Sequence, residues 1–66
     1  MPTPSDSKFS VGEPVRDRND DRKEGRVAAV SGTLHLVNRN HEHIYLVRFD
    51  TGGFDWFPES DLESQR

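Results

Sequence analysis

The sequence predicts an all-β fold, a small barrel of four to five short antiparallel strands with one 3₁₀ turn. Three observations lead there. Apolar residues fall in short alternating runs, clearest at 43–49, where Tyr45, Val47 and Phe49 share one face and Ile44 and Leu46 the other. Turn chemistry separates the runs: Ser31-Gly32, Asn38-Arg39-Asn40 and Asp50-Thr51-Gly52-Gly53. No segment carries ten residues of helical periodicity. A sheet this small buries both ends of its core by curling on itself.

Residues 1–7 hold Pro, Ser, Thr and Asp with no apolar group after Met1, so a disordered tail is expected there. The folded domain is placed at 8–63, with 64–66 as a C-terminal tail. Phe9 opens the fold. Gly12 offers a permissive backbone position, and Pro14, lacking a donor, suits a strand start or an edge. The polar stretch 17–24 is expected to be a loop. Residues 24–30 form the second strand, with Val27 and Ala29 on one face and Ala28 and Val30 on the other. A short strand over 33–37 puts Leu34 and Leu36 on one side. The strand at 43–49 follows, then the Gly52-Gly53 hairpin and a strand at 54–57. Pro58 to Leu62 makes a single 3₁₀ turn that returns Leu62 to the core. Adjacent strand residues point to opposite faces, so one of Trp56 and Phe57 is buried and the other exposed.

Sixty-six residues with 30% apolar composition and six aromatics fill one core and leave little room for a cleft within one chain. The absence of cysteine removes disulfides and thiolate–zinc staples. A net charge of −3 argues against nucleic acid as partner. Charge is uneven. Residues 16–26 mix five bases with four acids, which suits a solvated loop. Residues 50–63 carry five acids and no base, which predicts an acidic surface for a cationic or neutral partner. No apolar run reaches bilayer length, and the first residues lack the basic and apolar regions of a signal peptide. The expected setting is cytoplasmic, with no membrane partner.

The spaced residues Phe9-x-x-Gly12-x-x-Val15-Arg16, Gly25-x-Val27, Tyr45-x-Val47-x-Phe49 and Trp56-Phe57-Pro58-x-x-x-Leu62 resemble SH3-like bacterial barrels. In layout, residues 9–63 are most similar to the plasmid-borne type II dihydrofolate reductases. That resemblance implies a tetramer reducing dihydrofolate with NADPH at a pore. The family's Val-Gln-Ile-Tyr pore residues align with Phe54-Asp55-Trp56-Phe57, so the active-site motif is not retained. Its lysine pair aligns with Asp17 and Arg18. Four copies of Asp55 around a pore would repel one another and an anionic cofactor. The likeness therefore implies a fold rather than an activity. A second resemblance is to Tudor-like barrels, in Tyr45-Leu46-Val47-Arg48-Phe49-Asp50 followed by Phe54, Trp56 and Phe57. It implies an aromatic cage for a methylated Lys or Arg, with Asp50 or Asp55 as the acid.

Other chemistry is thin. His41-x-His43 puts two imidazoles on one side of an extended segment, with His35 as a third, but solvent-facing or capping histidines near a turn give the same spacing. No metal site, catalytic group or cofactor is assigned. Ile44 and Leu46, with Leu34 and Leu36, form a candidate oligomer face, to be covered by loops or by a second copy. The expectation for function is a non-enzymatic module binding a protein or peptide through Phe54, Trp56, Phe57, Asp50 and Asp55. The alternatives are the reductase-like tetramer, a Tudor-like barrel, and nucleic-acid binding through the Arg16–Arg26 loop.

Overall fold

A computed structural model describes residues 7–65; the expected tail thus lies outside the described residues except for Ser7. The fold is all-β, as the alternation required. The elements are β1 (Pro14–Asp17), β2 (Asp20–Val30), β3 (His35–Val37), β4 (Asn40–Glu42), β5 (Ile44–Phe49), β6 (Phe54–Pro58), a 3₁₀ turn (Glu59–Asp61) and β7 (Leu62–Ser64). One antiparallel sheet has the order β6-β5-β2-β1-β7, and β3 and β4 form a separate hairpin. This five-stranded sheet, with its 3₁₀ turn before the last strand, supplies the strands expected of the small barrel. Among the described residues the single helical element is the 3₁₀ turn. Val15, Val27, Tyr45, Val47, Phe57 and Leu62 come from five strands and meet Phe9 in one buried cluster. Phe9 and Phe57 pack edge-on, against Tyr45 (centroids 5.4 Å apart) and Phe49 (5.8 Å) respectively.

Four local features differ from the sequence expectation, each for a physical reason. Residues 20–24 are strand rather than loop: Asp17 pairs with Asp20 across the Arg18-Asn19 turn, and Arg16 pairs with Glu24. Polarity there reports solvent exposure, while the backbone still finds a ladder. In β2 the register slips between Val27, opposite Val47, and Ala29, opposite Leu46. The extra residue breaks the alternation, so Val27 and Val30 both reach the core instead of facing opposite ways. The third difference is an added hairpin. Asn38 and Arg39 adopt positive φ (48° and 72°), turning β3 into β4, which the sequence did not announce as a strand. Finally, the expected C-terminal tail is partly structured: β7 runs to Ser64, and Gln65 Nε2 donates to the carbonyls of Val15 (2.7 Å) and Gly25 (3.2 Å).

Two glycine sites are fixed by geometry. Gly52 and Gly53 hold φ of 99° and 91° in the β5–β6 hairpin, where Phe49 N–H donates to Gly53 O at 2.9 Å. Gly25 lies where β1, β2 and β5 meet, and a Cβ there would sit 2.1 Å from Arg48 O.

Candidate functional site

Register decides which side chains share the outer face. Because Tyr45, Val47 and Phe57 face the core, their neighbours along β5 and β6 face out. The cross-strand pairs there are Ile44–Pro58, Leu46–Trp56 and Arg48–Phe54. The same face continues onto β2, where Arg26 lies opposite Arg48 and Ala29 opposite Leu46. Two rows result, Arg26–Arg48–Phe54 and Ala29–Leu46–Trp56. Phe54 is 60% exposed and Trp56 53% exposed.

Phe57, expected among the binding residues, is withdrawn from this face. It is only 9% exposed and belongs to the core, because its neighbour Trp56 takes the outward position. Asp55 alternates away from Phe54 and Trp56. It remains exposed on the edge strand, where its Oδ1 accepts the Trp56 N–H at 2.8 Å. That local bond occupies a backbone donor on the outermost strand of the sheet. Asp50 is exposed beside the hairpin. Along β6, then, Phe54 and Trp56 face out, Asp55 lies on the edge and Phe57 is in the core.

Two open depressions mark the face. One, of about 210 Å³, lies between Ser31, His35, Ile44 and Trp56. The other, of about 300 Å³, is lined by Arg26, Arg48, Phe49 and Asp50. In the first, His35 faces Ile44 and Trp56 from the β3–β4 hairpin. Leu36, adjacent to His35 on β3, alternates to the other side and is exposed, and Leu34 precedes the strand. Ile44 and Leu46 are half-buried on β5, whereas Leu34 and Leu36 are exposed at the β3–β4 hairpin.

Two acids of the run 50–63 are engaged within the fold. Glu63 pairs with Arg16 at 3.3 Å. Glu59 Oε1 accepts the Tyr45 hydroxyl at 2.5 Å and the Lys8 N–H at 3.1 Å. Burial first, and then the Glu59 carboxylate, push the Tyr45 hydroxyl up to about 12. Its oxygen also accepts the N–H groups of Lys8 (3.0 Å) and Phe9 (3.4 Å), which ties the entering chain to the core. No local pattern signals this latch, since its partners lie 14 and 37 positions from Tyr45.

The histidines separate as well. His43 is buried with Nδ1 3.0 Å from Ser31 O, whereas His41 is exposed on β4. β4 ends at Glu42 and β5 begins at Ile44, so strand alternation does not carry from His41 to His43. Among the described residues no group of three or more His, Cys, Asp or Glu side chains is placed to hold a metal ion. None of the described helices is long and apolar enough to cross a membrane. Comparison with protein-family models, curated proteins and solved structures finds no match.

Proposed function

We propose that the chain is a non-enzymatic interaction module that binds a protein or peptide segment through the outer face of β5 and β6. One observation carries this reading. Phe54 and Trp56 are both more than half exposed and lie two residues apart on one side of an edge strand, opposite Arg48 and Leu46 respectively. Large aromatics gain most when desolvated, and Trp is over-represented among residues that dominate binding energy. The core already contains Phe9, Tyr45 and Phe57, so it does not require these two rings. The Ser31–His35–Ile44–Trp56 depression offers a place for a partner side chain beside them.

The test selects binders from a displayed library of random internal peptides and measures them by titration calorimetry. Trp56 is the chain's single tryptophan, so its emission reports binding directly. Trp56→Ala should weaken the selected peptides by about tenfold or more while leaving the backbone amide spectrum dispersed. Unchanged affinity in both Trp56→Ala and Phe54→Ala would remove this face from the function.

A further inference from the structure

We infer that Arg26 and Arg48 form an anion-holding pair beside Phe54 and Trp56, so that the segment this face takes is acidic: an Asp or Glu carboxylate next to apolar or aromatic side chains. The inference rests on the module reading and names its partner.

Charge placement across the sheet carries it. In the row through Arg16, the neighbours on both sides are acids: Glu24 on β2 and Glu63 on β7, the latter in an ion pair. That row compensates itself. The row through Arg26 does the reverse, because its cross-strand neighbour on β5 is Arg48. Like charges directly opposite one another destabilise a sheet. Among the described residues neither arginine forms an ion pair, and both are exposed. Arg26 Nη1 is turned to the Gly12 carbonyl at 3.0 Å, a bond that uses one of its donors and leaves its charge uncompensated. Both arginines line the 300 Å³ depression. Guanidinium forks match carboxylates bidentately, and two together hold an anion better than either alone.

The aromatic neighbours say what surrounds the anion. Phe54 lies directly across from Arg48, and Trp56 is the next ring on the same face, two residues along β6. An acid flanked by apolar residues in an extended segment would set its carboxylate on the arginines and its neighbours on the rings. A nucleic-acid strand also combines anions with flat rings, but it brings a phosphate at every nucleotide. Asp50 lines the same depression, so Arg26, Arg48 and Asp50 together leave a single net positive charge. Asp55 lies on the adjoining edge, and the whole chain carries −3. One carboxylate suits this site better than a run of phosphates.

The experiment uses the same peptide library, with enriched sequences synthesised with both ends blocked and also as their Asp→Asn or Glu→Gln counterparts. Acidic sequences should dominate. The amide counterparts should bind about tenfold more weakly to the parent protein. In Arg48→Gln the acid and amide peptides should bind alike, with Arg26→Gln reducing the preference in the same direction. A decathymidylate is titrated in parallel at several salt concentrations. Neutral or basic peptides that still lose affinity in Trp56→Ala would overturn the anion inference and leave the module reading standing. Equal binding of acid and amide peptides to the parent protein has the same meaning. Failure to enrich any peptide overturns both. Decathymidylate binding that is tighter than the peptides, steeply salt-dependent and lost in Arg48→Gln would replace the peptide with a nucleic acid.

Discussion

Replacing Tyr45 with Phe removes one oxygen from a fully buried ring and leaves the packing volume nearly unchanged. That oxygen donates to the Glu59 carboxylate at 2.5 Å and accepts from the N–H groups of Lys8 and Phe9. A hydrogen bond to a charged group contributes about 1.5–3 kcal/mol, and a buried N–H left unpaired costs about 1–3 kcal/mol. Lys8 keeps Glu59 as an acceptor, and Glu59 is half-buried and regains some water, so the lower ends of both ranges apply. The expected loss is about 2 kcal/mol, or about 8–16 °C in Tm for a domain of this size. Urea unfolding followed by Trp56 emission measures it, with Glu59→Gln and the double variant completing the cycle. The pH profile gives a second readout. The folded hydroxyl holds its proton up to about 12, above its ordinary 10, so folding is favoured most below pH 10. That contribution is lost as pH rises from about 10 to 12, because the unfolded chain releases the proton first. Tyr45→Phe should abolish this part of the alkaline decline. A Tyr45→Phe variant within about 0.5 kcal/mol of the parent, with the same alkaline profile, would refute the latch.

The remaining predictions concern the sheet. Gly25→Ala should lose more than about 3 kcal/mol or fail to fold, because the new methyl would lie 2.1 Å from Arg48 O and 2.9 Å from Phe49 Cα, backbone atoms that cannot step aside; chemical denaturation or amide dispersion decides it. Phe57→Ala should cost about 3–5 kcal/mol, whereas Trp56→Ala should cost less than about 1 kcal/mol; similar losses would mean that the two rings are wrongly assigned to core and surface. Arg48→Gln should leave stability unchanged or raise it by about 0.2–1 kcal/mol, since it relieves a like-charge pair. A clear fall in Tm for that variant would show that Arg48 is structurally engaged.

Several features follow from local chemistry alone. Alternation along 43–49 fixed which residues of β5 face the core, and Gly52-Gly53 fixed the hairpin that returns β6 against it. Pro58 and Leu62 marked the 3₁₀ turn, and Phe9 the start of the packed chain. The rule that neighbours in a strand point opposite ways showed that one of Trp56 and Phe57 must be exposed. It could not say which, because the choice depends on which face of β6 the register with β5 turns toward the core. Only the tertiary structure decided that, as it decided the other features of the site. The bulge at Ala28 redirects Val30, and no residue type there announces it. Arg26 and Arg48 stand 22 positions apart and become neighbours only through the β2–β5 register. The acids of 50–63 are contiguous in sequence, but the turns send Glu59 to Tyr45 and Glu63 to Arg16. Periodicity governs contacts a few residues away, so it reports faces. Charge pairing across strands depends on register between distant segments, so composition alone suggested an acidic surface where the fold places two arginines beside two aromatic rings.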